Sequence, residues 1–385
     1  MARHRRIVIV LALGMAMLVG GLALWGWLGL WAPRLVIHAP GAWVGWDISG
    51  DGRWLTTSGA TRDGRQELRS WDLATGAPRR EGPAPLVVMR SDAADGRSAV
   101  GVMDDPATGR RAIVRIDTAT GAILARFDVG LEWPMYPHFA AGGRAVRAYL
   151  TDPQRDRVAE VLTWDLSTGT ATRQPFGGPP AGEPEFRPVA ATPDVRALVY
   201  LAEHGDDVLL WDGMADRPIG PLPRPAGARI ARVVSPAVAA DGRTLVIPLH
   251  DGRAEVWALP EGRLLRVVSV HSRGFHSMQV ALTPDGRLLA SGGGRSGPVR
   301  VDRRWAWLRS IAPALYRQPS VEVVVVDLAD GRRLARFPDE RDPLISPDGR
   351  TLVTRRERDA LPDRTIPAAF PVRTIPAPPA PRPPQ

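Results

Sequence analysis

SGDGRWLTT, residues 49–57, followed at 68–76 by LRSWDLATG, is the pair of segments on which the fold turns. Asp-Gly between two short apolar runs is a strong local hairpin signal, because Gly accepts positive φ and Asp bonds the turn backbone. The second segment ends a strand in Trp71-Asp72, then turns at Thr75-Gly76. Together they predict four short strands joined by tight turns.

Both segments recur along the chain. The first returns as AADGRSAVGV at Asp95, AADGRTLVIPL at Asp241, TPDGRLLAS at Asp285 and SPDGRTLVT at Asp348, all aligned with Asp51. Weaker copies are AAGGRAVRAYL at Gly142 and TPDVRALVYL at Asp194. The second returns as IVRIDTATGAILARF at Asp117, VLTWDLSTGTATRQ at Asp165, VLLWDGMADRPIG at Asp212 and VVVVDLADGRRLARF at Asp327, in register with Asp72. A variant, EVWALPEGRLLRVV, has Ala258 in the Asp place. The two marks alternate, at a period of about 45 residues, which is the period of a four-stranded propeller blade. The apolar period within each run is read as two, which excludes helical solenoids. The expected fold is therefore all-β, a seven-bladed β-propeller of four-stranded antiparallel blades, and the eleven Asp residues are structural blade turns.

The residues S-P-D-G-R, then W-D and a T-G turn, resemble the WD-repeat family over roughly residues 34–372, with quinoprotein-like propellers as the second likeness. That family's Gly-His pair is nearly missing: only His271 sits where its His would be. The tetrad that the resemblance implies, of His, Asp, Ser or Thr and Trp, therefore cannot rigidify most blades. Seven first marks face only six second marks. A weak strand near Thr365–Val372 comes after the last one, while PRLVIHAPG at 33–41 reads as an orphan outer strand. Leu35–His38 is expected to complete the last blade and remove the ring's open edge.

Ahead of this domain lie a basic stub, residues 1–6, and 25 uncharged residues, Ile7–Trp31. As a helix these would span about 37 Å, enough for a hydrocarbon core of about 30 Å. Arg3, Arg5 and Arg6 before the run, against Arg34 after it, predict a cytoplasmic N-terminus and an exported remainder. The expectation is a single-pass anchor in the cytoplasmic membrane at 7–31, with a propeller at 34–372 and a Pro-rich, disordered tail at 373–385.

The sixth unit is longer than the rest. Its surplus, about 294–320, includes RVDRRWAWLRSIAPALYRQ, and Arg304, Trp305, Trp307 and Leu308 form a candidate interaction protrusion. Arg304, Leu308, Ile311 and Leu315 have helical spacing, but Pro313 interrupts it. A hairpin extension folded on the blade is the blander reading.

Composition agrees with turns and strands: 39 Gly and 38 Pro are about a fifth of 385 residues. All 50 basic residues are Arg and the formal charge is +9, but Arg alternates with Asp and Glu rather than forming a basic stripe, so nucleic acid is not an expected partner. The absence of Cys excludes disulfides, thiol catalysis and Cys-based zinc sites. Without Lys there is no P-loop, and neither H-E-x-x-H nor G-x-S-x-G occurs. DISGDGR at 47–53 imitates a Ca²⁺ loop, but Ser58 stands in place of its bidentate Glu. His271 and His276 are read as one structural residue and one loop residue. Asp104-Asp105 and Asp206-Asp207 are read as solvated turns. No catalytic residue, cofactor or metal is assigned. The expected function is a monomeric, membrane-held scaffold for unidentified protein partners. The alternative is a quinoprotein- or lactonase-like enzyme using the central channel.

Overall fold

A computed structural model describes the chain between residues 32 and 376, apart from short breaks between strands and the longer stretches 176–185, 296–320 and 357–367. Residues 1–31 and 377–385 lie outside the described residues, and the expected anchor helix with them. Among the described residues no helix is long and apolar enough to cross a membrane.

The strands form seven four-stranded antiparallel sheets. Blade 1 is β2 (Ala42–Ile48), β3 (Trp54–Ala60), β4 (Gln66–Asp72) and β5 (Pro78–Arg80). Blade 2 is β6 (Val87–Asp92), β7 (Ser98–Asp104), β8 (Arg111–Asp117) and β9 (Ile123–Gly130). Blade 3 is β10 (Trp133–Ala140), β11 (Ala145–Asp152), β12 (Arg157–Asp165) and β13 (Ala171–Pro175). Blade 4 is β14 (Phe186–Ala191), β15 (Ala197–Ala202), β16 (Val208–Asp212) and β17 (Arg217–Pro221). Blade 5 is β18 (Ala237–Val238), β19 (Thr244–Pro248), β20 (Arg253–Ala258) and β21 (Arg263–Ser269). Blade 6 is β22 (Phe275–Leu282), β23 (Leu288–Arg295), β24 (Val321–Asp327) and β25 (Arg333–Pro338).

Blade 7 takes its strands from both ends of the chain. β26 (Glu340–Ile345), β27 (Thr351–Arg356) and β28 (Ala368–Thr374) are completed by β1 (Leu35–Ala39). Leu35 pairs with Val372 and Ala39 with Ala368. The weak strand read at 365–372 is seen as β28, which starts three residues later and ends two later.

Most of the core clusters lie between neighbouring blades. Val100, Ile113 and Val129 of blade 2 pack with Val146, Leu162 and Trp164 of blade 3. Ile37, Val353 and Phe370 of blade 7 pack with Leu55, Trp71 and Leu73 of blade 1. Each middle strand is thus covered on both faces. The period-two reading fails at β15 and β24 for that reason: ALVYLA and VEVVVVD are buried at every position. A strand with no solvated face has no need of a polar one.

Antiparallel order places the connections. Turns after the first and third strands of each blade share one face of the ring, here the turn face. Connections from second to third strand, and from blade to blade, lie on the opposite face. β1 starts at the turn face, where Leu35 lies against the blade 1 turn at Gly76, and β28 ends there. The propeller's first and last strands therefore open on the same side.

Candidate interaction site

The repeated Asp residues are locked into turns. Asp51 accepts from the Ser49 hydroxyl at 2.5 Å and from the Arg53 amide at 3.0 Å, while Gly52 holds φ at +71°. Asp285 repeats this with Thr283 and Arg287, and Asp348 with Ser346 and Arg350. Asp241 keeps the amide bond to Arg243, but Ala239 lacks the hydroxyl. On the second mark, Asp72 accepts from the amides of Ala74 and Thr75, Asp165 from Ser167 and Thr168, Asp117 from Thr120 and Asp327 from Ala329. These donors outweigh the upward push of burial at Asp72. At Asp165, led by the Ser167 hydroxyl, they likewise hold the carboxyl below the ordinary range. Asp212 ends β16; Asp95 and Asp194 lie outside the described residues, as do Arg304, Trp305, Trp307 and Leu308.

The two marks also clasp each other. Arg53 reaches Asp72 at 3.3 Å and Arg287 reaches Asp327 at 3.7 Å. The amides of Leu73 and Leu328 donate to the carbonyls of Arg53 and Arg287. In blades 1 and 6 the turn face is therefore a braced surface.

Inside four neighbouring blades runs polar chemistry of which the sequence marks give little sign. His271, between blades 5 and 6, sets Nδ1 3.0 Å from Glu322 Oε1 and Nε2 2.9 Å from Ser291 Oγ, the His271 and Glu322 side chains being fully buried. Ser291 extends the chain to Ser277, and Arg336 donates to Glu322 at 2.5 Å. Burial pushes the Glu322 carboxyl up, but hydrogen bonds from His271 and Arg336 outweigh it and hold the group below its ordinary range. In blade 7, Arg373 grips Glu340 with two bonds of 2.8 and 2.7 Å and donates to Thr354. In blade 1, Trp71 donates to Thr57 at 3.3 Å. Thr57, Ser291 and Thr354 are equivalent, each three residues after the start of its second strand. In blade 5, Glu255 accepts from Arg224 and from Trp257.

Two expectations need correction. His276 lies in β22, not in a loop. Asp206 is not a free solvated turn: its carboxylate accepts from the Ile230 amide at 2.8 Å and its carbonyl accepts from Arg224. It secures the crossing from blade 4 to blade 5. The sequence does carry a signal for the buried ions. Glu322 stands in an otherwise apolar run, and a charge there must be paired to be tolerated.

One groove on the turn face gathers exposed chemistry. It measures about 590 Å³ between blades 6 and 7. Its walls are the two turns Thr283-Pro284-Asp285 and Pro347-Asp348-Gly349-Arg350, and Leu288, Ile375 and Pro376 complete it. A Cβ on Gly349 would meet Pro284 at 3.3 Å, so the turns abut. Burial raises the Asp348 carboxyl, but the Ser346 hydroxyl and Arg350 bring it below the usual range, so it is ionised at neutral pH. β23 ends and β24 begins on the opposite face, and residues 296–320 between them lie outside the described residues.

Among the described residues no cluster of three His, Cys, Asp or Glu could hold a metal. No protein-family model matches the chain, and no curated protein matches it. Among solved structures, the Swd1 β-propeller domain of Myceliophteria thermophila superposes with a TM-score of 0.59 at 12% identity, over 89% of this chain and 99% of that one. At that identity the likeness speaks for architecture alone: the chain has the seven-bladed, WD-repeat-like β-propeller fold.

Proposed function

We propose that this chain is a membrane-held, extracytoplasmic docking platform for protein partners, and that the blade 6–blade 7 groove is a contact surface. The observation that carries it is the groove itself. It is an apolar, Pro-walled cleft with an Asp and Arg rim, set on turns whose polar atoms are already bonded. Such a surface binds without reorganising, which lowers the ordering cost of association. Its volume lies within the range of about 300–1,000 Å³ typical of ligand pockets, which suits a short extended segment of a partner.

Tethering rests on the apolar run 7–31 and its flanking Arg residues. The first strand begins and the last strand ends at the turn face beside blade 7. Only residues 32–34 separate Trp31 from β1, about 10 Å of extended chain. An anchor at 7–31 would therefore hold the blade 7–blade 1 side of the turn face near the bilayer.

The test is cross-linking of envelope proteins to the intact chain and to a Pro347→Ala, Arg350→Glu double variant. Partners specific to the groove should fall at least fivefold in the double variant and stay unchanged in a Gln174→Arg control on the blade 3 rim. Equal capture by all three would reject the groove as the contact surface.

A further inference from the structure

The groove has a candidate occupant within the same chain. β28 ends at Thr374, and the Ile375 amide donates to the Arg350 carbonyl at 2.7 Å, which pins the exit against the blade 7 turn. Ile375 and Pro376 themselves line the groove. The last described residue therefore lies inside the cleft, not beside it.

Beyond Pro376 the chain reads APPAPRPPQ, residues 377–385. Five of its nine residues are Pro, which favours an extended polyproline conformation of about 3.1 Å per residue. Such a segment has little conformational freedom left to lose on docking, and few backbone N–H groups to leave unbonded. Pro284, Pro347, Leu288 and Ile375 offer it apolar walls. Its single charged side chain, Arg382, stands six residues beyond Pro376, a reach of about 19 Å. Asp285 and Asp348 line the same groove as Pro376 and fall inside that reach. Arg287, the basic residue beside Asp285, is turned toward Asp327 at 3.7 Å, while Arg350 lines the groove beside Asp348.

We infer that residues 377–385 dock in cis along the blade 6–blade 7 groove, with Arg382 toward Asp285 and Asp348. This rests on the groove being a binding surface. A tether of a few residues gives the tail an effective concentration in the millimolar range. Even a weak contact is then substantially occupied, and a second copy at ordinary concentrations does not compete.

The experiment uses the full chain in detergent with p-benzoylphenylalanine at position 380. On irradiation, cross-links should fall in residues 283–288 or 347–350 of the same molecule, with a yield unchanged by tenfold dilution. Arg382→Glu should lower that yield at least threefold. A cross-linked dimer, cross-links scattered over other blades, or a yield indifferent to Arg382→Glu would each overturn the proposal. Because the readout is internal to the chain, its failure leaves the partner test of the groove standing.

Discussion

His271 shows how much one residue can organise. Its ring occupies space that only a glycine leaves: a Cβ on Gly293 would come within 2.5 Å of it. Gly293→Ala should therefore destabilise the protein by about 1–3 kcal/mol, the usual cost of overpacking, read as a lower denaturation midpoint. Pairing with His271→Ala, which removes the obstructing ring, should make the combined loss smaller than the two single losses added. The Glu322 carboxyl gives a pH dependence whose sign is fixed. Its folded-state value lies below its ordinary one, so the group adds stability above the unfolded value, near 4.5, and that stability is lost as pH falls through the folded value. Melting temperature should hold from pH 7 to about 5 and fall below about 4.5. In Glu322→Gln this acid limb should be shallower; an identical limb would exclude Glu322 as its source.

At the scale of the element, the strand that matters most is β1. It is five residues long and pairs along its whole length with β28, while Ile37 and Ala39 enter the core between blades 7 and 1. Removing residues 34–39 exposes the edge of β28 and opens that core. Thermal denaturation should show a drop of many degrees, or loss of the cooperative transition; an unchanged melting curve would mean that the ring does not depend on this seam. A different element tests the interblade core. Leu162 in β12 is fully buried among residues of blades 2 and 3, so Leu162→Ala should cost about 2–5 kcal/mol. Strand length is set at this scale as well. The repeat implies short strands of similar length in every blade, yet β12 has nine residues and β18 only two, because neighbours on both faces, more than local propensity, decide where pairing stops.

The whole molecule is a ring joined by polar as well as apolar contacts. Blades 5, 6, 7 and 1 carry the buried hydrogen-bond chains of His271, Glu255, Glu340 and Thr57. In blades 2, 3 and 4 the residues equivalent to Thr57 are Gly101, Ala148 and Tyr200. The polar arc spans the closure at blade 7, where the first and last strands join. Fixed donors and acceptors specify one register there better than apolar contacts alone. The same arc carries the groove. Membrane topology belongs to this scale too. A reporter fused at Gln385 should be active only when it is one that works outside the cytoplasm, and a reporter active only in the cytoplasm would remove the tethered, exported reading.

The sequence alone determined the blade. The D-G-R and W-D marks are local chemistry: glycine φ and side-chain bonds two or three residues away suffice to make the turns, and seven repetitions dictate a ring. The orphan strand at 35–38 was legible because its apolar pattern had no partner nearby. Tertiary structure alone decided which charges are buried together. Glu340 and Arg373 are 33 residues apart and His271 and Glu322 are 51 apart, distances over which no local pattern reports a contact. The groove was hidden for the same reason: its two walls are near-copies of one turn, and only the curvature of the closed ring brings them side by side with the end of the last strand.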